Sequence, residues 1–119
     1  DPLIVWGPGS QGRDFVYISD VISAIWKILT LDCKESNVFN ISTGVLVTFN
    51  EIARKLALIE GYHPVIQNSL DQPTGVQKRV GSPNLLKSYG WLPKIPLEEG
   101  LERVLFGLQQ QGVGNLLDQ

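Results

Sequence analysis

Gly7-Pro8-Gly9-Ser10-Gln11-Gly12 separates two apolar runs near the start of the chain, and no regular element can pass through it. Glycine raises the entropic cost of fixing the backbone, and proline withholds the N–H that a helix or a strand ladder needs. Before this segment, Leu3-Ile4-Val5-Trp6 reads as a strand. After it, residues 13–18 (RDFVYI) are aromatic and β-branched and read as a second strand. The glycines also spell G-x-G-x-x-G, and Asp32 follows Gly12 by about 20 residues, the spacing of a dinucleotide fingerprint. That fingerprint requires a helix directly behind the loop, whose N-terminus receives the pyrophosphate. Here the earliest helix cap is Ser19 or Asp20, Pro8 removes a donor from the loop, and Asp32 falls after a helix rather than at a strand end. The phosphate-loop pattern G-x-x-x-x-G-K-[ST] fails as well, because Gly12 is followed by Arg13-Asp14. The segment is therefore expected to be a turn joining two strands, with no cofactor-binding residue in it.

The remaining elements follow from periodicity and punctuation. Val21, Ile22, Ala24, Ile25, Ile28 and Leu29 repeat at the helical period behind the Ser19/Asp20 cap, with Asp20 read as a cap rather than a ligand. Residues 37–41 (NVFNI) read as a strand closed by Ser42-Thr43-Gly44. Thr48 and Glu51 have capping-box spacing, Val47 and Ile52 can staple across it, and Gly61 stops the helix they start. Residues 65–67 form a short strand after His63-Pro64, and a polar loop runs from Asp71 to Lys78. A short helix spans about 83–89, and a last helix starts near Pro96-Leu97-Glu98-Glu99, with acids in its first turn as the helix dipole favours. That helix is expected to bury Leu97, Leu101, Val104, Leu105 and Leu108. The order β-β-α-β-α-β-α-α is a small mixed α/β domain over residues 1–111, with a frayed tail at 112–119.

Composition narrows the partners. The 119 residues carry a net charge of -2 with scattered cations, so no basic face for nucleic acid is expected. A single Cys33 and a single His63 are too few for a zinc site or an internal disulfide. No run approaches about 18 apolar residues, so no membrane helix is expected, and a reduced, cytoplasmic setting follows. His63 reads as a solvated loop residue, Cys33 as a bystander thiol, Trp6 and Trp26 as core, and Trp91 as a packing anchor for the last helix. Arg13, set where the chain leaves the glycine turn, is the natural fork for a phosphate, though a solvated surface arginine is the plainer reading.

Read in order, four motifs carry a resemblance. They are Gly7-x-Gly9-x-Gln11-x-Arg13-Asp14-Phe15-Val16-Tyr17-Ile18-x-Asp20-Val21, Val38-Phe39-Asn40-Ile41-Ser42-Thr43-Gly44, Thr48-Phe49-x-Glu51-Ile52-Ala53, and Leu85-Leu86-Lys87-x-x-Gly90-Trp91-x-Pro93-Lys94-Ile95-x-Leu97-Glu98-Glu99-Gly100-Leu101. Together they resemble the C-terminal, substrate-binding portion of the extended short-chain dehydrogenases, the NAD-dependent nucleotide-sugar epimerases, dehydratases and reductases. Within that family, Gly75-Val76-Gln77-Lys78-Arg79 looks most like the GDP-fucose synthase branch. Two departures stand out: Pro8 and Ser82 occupy positions where the family usually has Asp.

The resemblance implies a substrate-binding role for Arg13 at the diphosphate of a GDP- or UDP-linked sugar, with Lys78 or Arg79 as the second cation. It implies NAD or NADP in the parent protein, with none bound by this chain alone. The family's cofactor loop G-x-x-G-x-x-G and its catalytic Tyr-x-x-x-Lys are not in these residues: Val21, Ile66 and Pro93 lie four places after Tyr17, Tyr62 and Tyr89. No catalytic residue is therefore expected here. The chain, which contains no Met, reads as a piece of a longer enzyme, inactive without its N-terminal Rossmann portion. In the family the first strands and helices of this piece pack on that portion, so an isolated piece should self-associate. The alternative is a stand-alone, non-catalytic binding or interaction module with the same fold.

Overall fold

The computed structural model describes residues 1–32 and 37–112; Cys33 and the tail beyond Gly112 lie outside the described residues. The order of elements is β1 (Leu3–Trp6), β2 (Gly12–Arg13), α1 (Ile18–Thr30), β3 (Val47–Thr48), α2 (Phe49–Ile59), β4 (Ile66–Ser69), β5 (Lys78–Arg79), α3 (Asn84–Ser88) and α4 (Leu97–Gln110). β1 and β4 form a two-stranded parallel sheet with Leu3 opposite Ile66 and Trp6 opposite Ser69. A second sheet runs β3-β2-β5, antiparallel on one side of β2 and parallel on the other. The architecture is the mixed α/β expected.

The glycine segment is a turn between strands. Gly7 and Gly9 have φ near +76° and +70°, which L side chains rarely adopt. The turn docks on α2: Asn50 N–H donates to Gly9 O and Phe49 N–H to Gln11 O, both at 3.0 Å. The N-terminus of α2 is thus occupied by carbonyls of the turn. A Cβ at Gly9 would fall 2.1 Å from Asn50 Oδ1, so only glycine lets the turn come this close. Gln11, 1% exposed, braces it from inside by donating to Trp6 O at 2.7 Å.

The elements with local signals form as expected. Thr48 Oγ1 accepts from Glu51 N–H at 3.2 Å and caps α2, and Val47 is buried beneath it. The far end closes with Tyr62 N–H on Ala57 O, Gly61 N–H on Leu58 O, and Gly61 at φ +70°, a Schellman ending.

Several expectations need correction. Residues 13–18 are not one strand: only Gly12 and Arg13 ladder, because β3 and β5 offer two partners each, and α1 begins at Ile18. Neither Ser19 nor Asp20 caps α1. Tyr17 holds that position without a side-chain bond, and the buried Asp20 carboxylate instead accepts Lys94 N–H at 3.0 Å and Ile95 N–H at 2.9 Å. Residues 37–41 form no strand, since no described strand runs beside them. Lys78, expected to end a loop, instead forms β5 with Arg79. Trp6 and Trp26 are 59% and 65% exposed rather than core.

The core itself is small. Ala24 of α1, Leu86 of α3 and Trp91 are buried together, with Ile28, Phe39 and Ile41 against them. Trp91 therefore anchors α1 and α3, not α4, and its indole N–H donates to Ser23 Oγ at 2.9 Å. In α4 it is Leu97, Leu101 and Leu105 that turn inward, while Val104 and Leu108 are exposed. Gly100 is buried against Tyr17, its would-be Cβ 3.3 Å from the ring. The outer face of α1, made of Ile18, Ile22, Ile25, Trp26 and Leu29, has at least 46% of each side chain exposed.

Candidate anion-binding site

Arg13 lies in the central strand of the three-stranded sheet, and the register decides its neighbours. Gly12 is opposite Lys78 and Arg13 opposite Arg79, with Gly12 N–H on Gln77 O at 2.8 Å and Asp14 N–H on Arg79 O at 3.1 Å. Residues paired across a ladder project to one face, and successive residues alternate. Arg13 and Arg79 therefore share a face, whereas Lys78 leaves the opposite one, beside the side-chain-free Gly12. Sequence spacing left Lys78 and Arg79 equivalent; the ladder separates them.

Among the described residues, the groups that hold the Arg13 guanidinium are neutral. Its Nη1 donates to Gly12 O and to Val76 O, each at 2.7 Å, and its centre lies 5.4 Å from the ring centroid of Phe49. The aromatic face and the two carbonyls fix the fork's position without cancelling its charge. Among the described residues no carboxylate pairs with Arg13, Lys78 or Arg79; the ion pairs are Lys55–Glu98 between α2 and α4 and Arg103–Glu99 within α4. In those pairs the short bond from Lys55 draws the Glu98 carboxyl below its ordinary range, and the bond from Glu99 raises Arg103. Asp14, adjacent to Arg13, turns away from it. Its Oδ1 accepts Thr43 N–H at 2.9 Å and Thr43 Oγ1–H at 2.6 Å, and its Oδ2 accepts Gly44 N–H at 2.8 Å. Two like-charged residues directly opposite each other across a ladder disfavour that pairing.

Sequence reading missed Phe49 as the platform for Arg13 and missed the role of Asp14. Thr43 lies 29 positions from Asp14, and no local pattern announces such a contact. His63 is exposed, as expected of a loop residue. Among the described residues there is no cluster of three or more metal-ligating side chains, and no helix is long and apolar enough to cross a membrane.

The family model described as the NAD dependent epimerase/dehydratase family matches residues 1–42, the stretch that carries the turn, Arg13 and α1. Over these residues the chain is similar to that family. A GDP-L-fucose synthase from Sinorhizobium fredii is 32% identical over 85% of this chain and 32% of its own length. Two solved structures extend the likeness. The UDP-glucose 4-epimerase of Thermotoga maritima, determined with UDP-glucose, superposes with a TM-score of 0.77 at 31% identity, over 93% of this chain and 36% of that one. The UDP-glucose 4-epimerase of Thermus thermophilus, determined with NAD, gives 0.70 at 28% identity, over 85% and 33%. The chain spans about three tenths of the length of the curated relatives it matches. The mixed α/β fold and the relationship to nucleotide-sugar epimerases and reductases are thus established from sequence and structure together.

Proposed function

We propose that residues 1–111 are the substrate-binding part of an NAD(P)-dependent nucleotide-sugar epimerase, dehydratase or reductase, and that they hold the diphosphate of a GDP- or UDP-linked sugar. One observation carries this reading: Arg13 and Arg79 oppose each other across β2 and β5 with no carboxylate on either among the described residues. A diphosphate bears two negative phosphoryl groups and matches two forks set one strand apart. Arg13 and Arg79 are its ligands in this proposal, and Lys78 contributes from the opposite face as a longer-range charge. The names of the relatives support both GDP- and UDP-linked substrates.

These 119 residues hold no Tyr-x-x-x-Lys, so hydride and proton transfer belong to a cofactor-binding portion outside them, and this chain alone is inactive. The NAD-bound relative supports NAD or NADP as the hydride carrier there. The apolar outer face of α1 is where that portion would dock.

Calorimetric titration of the chain with GDP and with UDP tests the binding half. Saturable binding of at least one, weakened by Arg13→Ala, is expected; no binding of either overturns the reading. The coding region upstream of Asp1 tests the other half. A continuous frame with G-x-x-G-x-x-G and Y-x-x-x-K is expected, and a start codon directly before Asp1 favours a stand-alone binding module instead.

A further inference from the structure

We infer that Asp14 is the positioning residue that holds the Arg13–Arg79 pair in register, an inference that rests on the proposed diphosphate site. The ladder between β2 and β5 is two residues long and is stitched by Gly12 N–H to Gln77 O and Asp14 N–H to Arg79 O. Two arginines set opposite each other work against such a short ladder. Asp14 opposes that effect from both of its ends. Its backbone N–H holds the Arg79 carbonyl, while its carboxylate takes three donors from the Thr43–Gly44 corner.

That corner is in turn packed against the segment that follows Arg79. A Cβ on Gly81 would sit 2.8 Å from Ser42 Oγ, and one on Gly44 would sit 3.1 Å from Pro83 Cδ, so the two segments touch with no room for a side chain. Gly44 also needs its positive φ of +80° to turn its N–H onto Asp14. The contacts close a ring: Arg13 to Asp14, Asp14 to Thr43 and Gly44, these to Gly81 and Pro83, and back along the chain to Arg79. The two cations sit at the ends of the ring, and Asp14 is the residue that joins its halves.

The charge of Asp14 matters as much as its reach. An ionised carboxylate only accepts, and all its donors here are neutral. Its negative charge is therefore spent on backbone and hydroxyl groups and leaves Arg13 free for phosphate. Asparagine has the same size but offers an NH2 group where an acceptor is needed, facing either Thr43 or Gly44.

The test uses the 119-residue chain, with GDP and GMP, and UDP and UMP, as probes. Asp14→Asn is expected to weaken diphosphate binding about ten-fold while weakening monophosphate binding less, because one fork no longer reaches its phosphoryl group. Thr43→Val should show a smaller loss in the same direction, and Thr43→Ser, which keeps the hydroxyl, should restore the wild-type ratio. A merely structural role lowers the fraction of binding-competent protein and leaves that ratio unchanged, which would overturn the inference. Amide hydrogen exchange reads the same point without any ligand. The Gly12 and Asp14 amides should exchange faster in Asp14→Asn while those inside α2 and α4 stay protected; unchanged exchange at both overturns the clamp even if no nucleotide binds. Should Asp14→Asn not fold, Thr43→Val carries both measurements.

Discussion

Arg13 and Arg79 stand opposite each other on parallel strands, Cα partner to Cα partner, and no carboxylate among the described residues neutralises either. The pairing ranks the three cations. Arg13→Ala and Arg79→Ala are each expected to weaken binding of a nucleoside diphosphate by about 10- to 100-fold, the worth of a charge-assisted bond to phosphate. Lys78→Ala, on the other face, should cost less than about three-fold. Calorimetry on the three variants decides it, and a Lys78 effect as large as that of Arg79 contradicts the face assignment.

Asp20 is a buried carboxylate whose two oxygens accept the backbone N–H groups of Lys94 and Ile95, tying α1 to the segment that leads into α4. Asp20→Asn replaces one acceptor by a donor and leaves a buried N–H facing it. A loss of about 1–3 kcal/mol in urea unfolding, with the slope unchanged, is expected. A loss below about 0.5 kcal/mol would show that the tie is dispensable.

Two glycines should respond to alanine with opposite signs. At Gly9 the positive φ alone costs about 1–2 kcal/mol, and the new Cβ displaces Asn50, whose amide is bonded to Asn68 at 3.0 and 3.2 Å. Gly107 lies in α4 with no atom within 4 Å of a would-be Cβ, so Gly107→Ala should stabilise by up to about 1 kcal/mol. Thermal unfolding of the pair checks both signs at once.

Ile18, Ile22, Ile25 and Leu29 are spaced four, three and four apart along α1, the interval of a helix–helix seam, and all are exposed with Trp26 beside them. The isolated chain should therefore self-associate through this face. Sedimentation velocity should show a concentration-dependent species heavier than 13.2 kDa. Combined Ile22→Glu and Ile25→Lys should return it to monomer, and a wild-type monomer at all concentrations refutes the expectation.

Much of the candidate site was visible in the chain, though unevenly. Arg13 could be picked out by its place behind the glycine turn, and Lys78 and Arg79 by the family motif. Their ranking could not be, because adjacent residues are equivalent in sequence and differ only through the strand beside them. Asp14 and Phe49 were invisible as site residues, since each acts on a group far from it along the chain or around a corner.

By itself the sequence determined the elements whose causes are local. The turn at Gly7–Gly12, the Thr48 cap and Gly61 ending of α2, and the amphipathic α4 each depend on interactions within a few residues, so their patterns can be read directly. Only the tertiary structure decided where residues 13–18 stop being strand, why residues 37–41 make no ladder, what Asp20 binds, and that Trp6 and Trp26 face outward. The physical reason is common to all four. A strand, a buried carboxylate and an indole are defined by what lies across from them, and that partner is supplied by a distant part of the chain, or by none of its described residues.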